Sequence, residues 1–460
     1  MRRTIPHRAG PEPASPEPAS RERAYRWRAS ALAGLVGLAL VALSACGGGG
    51  STKSDKTTGV TITVALAAEA PPKAALAQFA KQTGITVKWV NLDWDSLQTK
   101  ISAAATAKSY FADATDVDWS RVGELGTLGW FYPMDQYVDT DAMKADVPQL
   151  ASFTYNGHVV GVPYDGSFMV TTVNTALLKK AGVAATPTTM DAYTSALRKV
   201  KSSGAAKYPL NIPFAAGEGL STYWYETTHA FGGTILDGKG HPQFTDPSSP
   251  GYKAAQWMVD AVKSGLVPPG NINVLDSQGE QTLMARGVVA STFSDYSGLV
   301  GTLYNVPASS SVVNKVGYIS TPGVTGTVQN LSNPDGIGIP KTAKYPKAAA
   351  KFVEWFTGAE LQAQFAGLQG PDKAWASYAL PSHLSAVQQL ATGGKLIGGD
   401  QLATLLKSSK PVFPDGAPKW YPKFSNAVYT HLHGAAAGSE TVAEAVKAIG
   451  KAASDLAAGS

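Results

Sequence analysis

The stretch Val60-Thr61-Ile62-Thr63-Val64-Ala65-Leu66 alternates apolar and polar positions with the period of a strand. Pro71-Pro72 then opens a helix that runs to about Lys81, with Leu76, Phe79 and Ala80 as its apolar side and Gly84 as its breaker. A second strand, Ile85 to Val90, is followed by a helix from Asp95 to Ala107, and a third strand ends at Ala114 to Trp119. Strand, helix, strand, helix predicts an α/β layer with a largely parallel sheet. Further on, the pattern predicts a helix over Asp191 to Lys201, a strand over Tyr208 to Phe214 and a helix over Gly251 to Leu266. It also predicts a strand within Ser332 to Pro340, a strongly periodic helix over Pro346 to Thr357 and an Ala-rich last helix over Thr441 to Ala457. A chain of 460 residues is too long for one ordinary core, so two lobes are expected.

The stretch from Tyr155 to Gly182 organises the rest. Asn156-Gly157 is a strong hairpin signal, because both residues tolerate positive φ. Val159 to Gly166 reads as a short strand stopped by Pro163 and Gly166, Phe168 to Val173 as another, and Thr175 to Ala181 as a short helix closed by Gly182. Two strands in line with Pro and Gly between them suit a crossing from one lobe to another. The same local pattern also fits a hairpin and helix inside one domain.

Charge is uneven. Residues 1–45 contain seven arginines and three glutamates, so most of the net charge of +5 lies there and the remainder is close to neutral. Its charges are dispersed, so no basic face for nucleic acid is indicated. Residues 1–20 are of low complexity, with Pro-Glu-Pro-Ala-Ser in tandem. Arginines at 21, 23, 26 and 28 precede an uncharged run from Ala31 to Ala42, the layout of a secretory signal. The run closes on Leu43-Ser44-Ala45-Cys46, which resembles the lipobox of bacterial lipoproteins, where the cysteine is diacylated. Cys46 is the only cysteine, which excludes an internal disulfide and a cysteine-built metal site. Gly47 to Thr58 reads as a flexible tether.

Catalytic patterns are missing: no Gly-x-Ser-x-Gly, no His-Glu-x-x-His and no phosphate-cradling loop with Lys. Asp116 and Asp118 share a strand face and suit glycosidase acids, but without a third supporting group binding is the simpler reading. Ligands in open α/β sheets gather beyond the carboxyl ends of strands. This makes Glu69, Asp118, Trp119 and Arg121 candidates, although Glu69 and Asp118 also suit helix N-termini and Trp119 a core. In Thr222-Tyr223-Trp224-Tyr225-Glu226 three successive aromatics cannot all face one core if the stretch is helical, so one or two are free to stack on a ligand. The 10 Trp and 18 Tyr suit a sugar, whose apolar faces want flat rings and whose hydroxyls want acids and amides.

The order hairpin, Gly161-Val162-Pro163-Tyr164-Asp165, strand, Asn174, Leu177-Leu178-Lys179-Lys180-Ala181-Gly182, Thr186-Pro187 and Asp191 resembles the family 1 extracellular solute-binding proteins of carbohydrate ABC importers. Gly232-Gly233 with Asp237-Gly238, Met284 to Ser291, and the Phe352/Trp355 helix are similar too. Where the family has Thr-Trp-Asp-Glu, this chain has Thr188-Thr189-Met190-Asp191. The resemblance spans roughly residues 59–455. It implies a two-lobed α/β fold of the type II periplasmic-binding-protein kind, with a cleft between lobes joined by crossing hinge strands. The expected boundaries are a signal with low-complexity extension over 1–45 and a lipidated tether over 46–58. The N-terminal lobe is then expected over 59–165 and 330–375, and the C-terminal lobe over 166–329 and 376–460.

The resemblance further implies a receptor that captures a sugar or oligosaccharide and hands it to ABC permease subunits. It would be a monomer, lipid-anchored through Cys46 at the outer face of the cytoplasmic membrane, with no cofactor, no metal and no chemistry on the sugar. Trp119, Trp224, Tyr296 and Trp375 are expected to stack on it, and Glu69, Asp118, Asp165, Asp295 and Asp335 to accept hydroxyl protons. A receptor for polyamines or other small solutes, a secreted carbohydrate-active enzyme and a sensor lipoprotein are the alternatives.

Overall fold

The computed structural model of the chain describes residues 54–275, 279–365 and 380–460. Its strands are β1 (Val60–Leu66), β2 (Ile85–Asn91), β3 (Ala114–Asp118), β4 (Thr154–Tyr155), β5 (His158–Val159), β6 (Val162–Pro163), β7 (Met169–Asn174), β8 (Leu210–Asn211), β9 (Ser291–Tyr296), β10 (Val316–Ile319) and β11 (Asp335–Gly338). They form two main sheets, ordered β2-β1-β3-β11-β6 and β10-β7-β9-β8. In the first, β1 pairs parallel with β2 and β3, while β11 runs antiparallel between β3 and β6. In the second, β7 is antiparallel to β10 and β9, and β8 is parallel to β9. The separate pair β4–β5 is the expected hairpin. Its turn has φ of 49° at Asn156 and 82° at Gly157, the two positive values that a two-residue turn of this hand requires.

The first sheet is covered by the helices Lys73–Thr83 and Pro346–Thr357. Phe79, Phe352 and Phe356 meet Ile62, Val64 and Ala114 of the sheet in one core. Trp355 lies partly buried against Phe79, ring centres 4.7 Å apart. Each helix start has a local reason. Asp93 accepts the Ser96 N–H at 2.9 Å, so the second helix begins at Trp94, one residue before the expected Asp95. Thr441 and Glu444 form a capping box ahead of Val442–Ala458. In the second lobe, helices Glu218–Ala230, Pro250–Lys263, Tyr421–Ala437 and Val442–Ala458 pack around Trp224, Phe244 and Phe424.

The chain leaves the first sheet through β6 and enters the second as β7, with Tyr164 to Phe168 between them. It returns from β10 to β11. At the crossing, Phe168 bridges Ser332 and Leu331 bridges Lys410, so three segments lie side by side. Gly166 N–H donates to Leu380 O at 2.6 Å, and a side chain at 166 would stand 2.4 Å from Pro381 O.

Several expectations shift. Only Leu210–Asn211 of the strand expected over 208–214 is paired. Phe293, Asp295 and Tyr296, which follow the Met284 to Ser291 stretch, lie within β9, because β7 keeps pairing with β9 as far as Tyr296. Two residues of the expected tether are tied down: Ser54 N–H donates to Lys344 O at 2.8 Å, and Asp55 pairs with Lys347 at 3.0 Å. The expected signal segment and Cys46 lie outside the described residues, as does Trp375. Among the described residues no helix is long and apolar enough to cross a membrane.

Candidate functional site

The strand order β3-β11-β6 explains where the chemistry collects. Because β11 is antiparallel to both neighbours, its first residue lies beside their last ones. Asp335 is therefore directly opposite Asp118 in register. Asp165, two residues past β6, accepts the Asp335 N–H at 2.9 Å. One edge of the first sheet thus brings together Asp116, Asp118, Asp165 and Asp335, from positions more than 200 apart in sequence.

A cavity of about 200 Å³ opens at this edge. Trp94, Asp95, Asp118, Trp119, Asp165 and Asp335 line one side of it, with Ser167 and Asn333 at the crossing. Gly217, Glu218, Thr222, Leu275, Gln281 and Tyr296 line the other. No Lys, Arg or His is among the described lining residues.

The acids differ in how they are held. Asp118 accepts the Ser120 N–H at 2.7 Å, the Ser120 hydroxyl, and Trp94 Nε1–H at 3.1 Å. Asp116, fully buried behind it, accepts from Gln98 Nε2 at 2.7 Å and the Tyr164 hydroxyl at 3.3 Å. Burial, then the Asp118 charge, pushes its carboxyl well above the usual carboxylate range. Asp165 also accepts the Ser167 hydroxyl at 2.9 Å, yet burial raises it to about 6. Asp335 is raised well above the usual range by burial and by the charges of Asp116, Asp165 and Asp118. Across the cavity, Glu218 accepts the Tyr421 hydroxyl and the Ser425 hydroxyl, the latter at 2.7 Å, and burial raises it as well. Gln281 is buried, and its Nε2 has no hydrogen-bond partner among the described residues.

Trp119 reaches across to the other lobe. Its Nε1–H donates to Asn333 Oδ1 at 2.9 Å, and its ring lies 5.7 Å from Tyr421 and 6.2 Å from Phe413. Arg121, just beyond, pairs with Glu124 at 3.5 Å and sits 5.6 Å over the Trp94 ring. No group of three His, Cys, Asp or Glu among the described residues is arranged to hold a metal ion.

Of the residues singled out from the sequence, Asp118, Trp119, Asp165, Tyr296 and Asp335 line this cavity. Glu69 does not: it is exposed at the end of β1 and accepts from Asn91 Nδ2 at 2.9 Å. Trp224 is fully buried in the second lobe, its Nε1–H on Gly251 O at 2.9 Å and its ring edge-on to Phe244. Asp295 is buried beneath the sheet, accepting from Thr172 Oγ1 at 2.6 Å and Tyr304 OH at 2.9 Å. The three successive aromatics are all buried because their helix is enclosed on nearly every side. Tyr223 bonds Asn211 O, Trp224 meets Phe244, and Tyr225 stacks on Phe424. Reasoning from sequence missed Trp94, Asp95, Glu218, Thr222, Gln281 and Asn333. Trp94 and Asp95 follow β2, so the strand-end rule that selected Asp118 also points to them.

A family model described as bacterial extracellular solute-binding protein matches residues 65–363. Among solved structures, maltose-bound MalE3 of T. maritima superposes with a TM-score of 0.74 at 21% identity, over 86% of this chain and 100% of that one. A solute-binding protein of an ABC transporter from Agrobacterium radiobacter K84, in complex with ribitol, gives 0.75 at 23%, over 87% and 99%. One from Thermotoga lettingae, bound with α-D-tagatose, gives 0.73 at 18%, over 86% and 99%. These likenesses establish a two-lobed periplasmic-binding-protein fold. With the family match covering well over half of its length, the chain belongs to the bacterial extracellular solute-binding proteins.

Proposed function

We propose that this protein is the receptor of an ABC importer for a sugar or sugar-like polyol, which it binds between its lobes and releases unchanged to the permease. The observation that carries this reading is one cavity lined by Trp94, Trp119 and Tyr296 together with Asp118, Asp165, Asp335 and Glu218. Flat rings suit the apolar faces of a pyranose, and carboxylates accept its hydroxyl protons. The structural neighbours whose ligands are maltose, ribitol and tagatose favour the same class. Asp118, Trp119, Asp165, Tyr296 and Asp335 are the contacts of this reading, joined by Trp94 and Glu218. Lipid on Cys46 anchors the receptor at the outer face of the membrane, and the crossing segments at 164–168 and 331–335 serve as its hinge.

A thermal-shift screen of residues 54–460 against sugars, polyols, amino acids and polyamines tests the cargo, since a ligand of the folded state raises the melting temperature by mass action. A shift with a sugar or polyol, recovered chemically intact, is the expected result. A shift with amino acids alone, or turnover of a glycoside, overturns it. For the anchor, Cys46→Ser moves the protein from the membrane to the soluble fraction. Unchanged membrane retention of that variant would rule lipidation out.

A further inference from the structure

The acids of the cavity exceed what a neutral cargo needs. Asp118 and Asp335 are cross-strand partners, an arrangement in which like charges oppose folding. Asp118 is already supplied with donors by Ser120 and Trp94, and Asp165 by Ser167 and the Asp335 N–H. The Asp335 carboxyl, opposite Asp118 in register, hydrogen-bonds the Asp118 carboxyl, a contact two acids can make only by sharing a proton. Glu218 adds a further acid on the opposite wall; Arg121, behind Trp94, acts on Glu218 and Asp95, but no cationic side chain among the described residues lines the cavity itself. A sugar hydroxyl offers a hydrogen bond to this pair but cannot replace the charge of the shared proton; an ammonium group takes that proton's place and donates to both carboxylates.

A second observation has a different chemistry. Gln281 is 6% exposed, lines the cavity and presents an Nε2 with no partner among the described residues. It calls for an acceptor on the cargo, such as a hydroxyl or ring oxygen. The faces of Trp94 and Trp119 suit both a sugar ring and a cation. A metal ion does not fit, because no three acidic side chains among the described residues converge on one point.

We propose that the cargo is a hydroxylated ring bearing a protonated amine, an amino sugar or aminocyclitol, whose ammonium group sits between Asp118 and Asp335 while Gln281 donates to one of its oxygens. This rests on the sugar-receptor reading and narrows it.

The test is calorimetric titration of residues 54–460, whose described part forms one compact unit. Glucosamine, galactosamine and 2-deoxystreptamine are compared with glucose, galactose and myo-inositol at about pH 6.5, where sugar amines are charged. Spermidine serves as an amine without a ring. The amines are expected to bind at least about tenfold more tightly than their neutral counterparts, and Asp335→Asn to lower that ratio by about tenfold. Should Asp335→Asn fail to fold, the fall of the same ratio in the unaltered protein as salt is raised provides the second readout. Neutral sugars binding as well as the amines would overturn the charge assignment and leave the sugar receptor standing. Binding of spermidine alone would keep the charge assignment and overturn the sugar. Binding of none of these ligands would overturn both.

Discussion

Glu226 shows what burial does to a single carboxyl in this fold. It sits on the enclosed helix Glu218–Ala230, where it accepts from Thr321 Oγ1 at 3.1 Å and the Leu331 N–H at 3.0 Å, and burial raises it to about 8. A raised acid stabilises the fold fully below its ordinary value near 4.5, and that contribution is lost as pH rises through about 8. Asp165 and Asp295, raised to about 6, act in the same direction at lower pH. Denaturation midpoints are therefore expected to fall from about pH 4 to pH 8 and to level off above that. Glu226→Gln, which cannot ionise yet still offers a carbonyl to Leu331, should flatten that fall, with a gain on the order of 1–3 kcal/mol at pH 9. A slope identical to that of the parent would assign the loss to other groups. Two tryptophans separate binding from packing. Trp224→Ala should cost about 3–5 kcal/mol of stability, because it empties a fully buried site, and any binding change should follow only from that loss. Trp119→Ala should weaken cargo binding by about 1–3 kcal/mol in the same titration. The sequence offered no way to tell these two apart. Both stand within two residues of an acid, Asp118 and Glu226, and only the enclosure of residues 218–230 by the helices 250–263 and 421–437 turns Trp224 inward.

At the scale of elements, most helices and strands were legible because each carries its own signal: the Asn156-Gly157 turn, Gly84 after the first helix, the apolar face of 346–357. What escaped was the consequence of pairing. Asp295 reads as a strand-end acid, but β9 runs on to Tyr296 because β7 lies alongside, and the carboxyl is drawn under the sheet to Thr172 and Tyr304. Asp118 and Asp335 are each readable as acids near strand ends. Their juxtaposition depends on β11 inserting between β3 and β6, a long-range event with no local sequence mark. The crossing offers a test at this scale. A methyl group at 166 would meet Pro381 O at 2.4 Å and Leu406 at 3.2 Å. Gly166→Ala should cost roughly 1–3 kcal/mol of stability by forcing the first crossing segment away from Pro381 and Leu406, read by urea denaturation. Wild-type stability in that variant would show that the segments yield easily.

At the scale of the whole molecule, the two lobes touch through Trp119 against Tyr421 and Phe413, and through Gly123, where an added Cβ would lie 2.1 Å from Ala417 O. If these contacts open and close around the crossing, cargo should lower the radius of gyration seen by solution scattering. A radius unchanged at saturation would argue for a rigid cleft. The interleaved topology has a further consequence, for the making of the protein. β3 has no neighbour on one side until β11 arrives roughly 200 residues later. At about 5–20 residues per second, a growing chain spends on the order of 10–40 s with that strand edge unpaired. Nascent chains that stop before Asp335 hold the two flanks of the first sheet without the strand between them. Whatever attends the emerging polypeptide must keep it from aggregating for that interval, so the last third of the gene decides when the first lobe can fold.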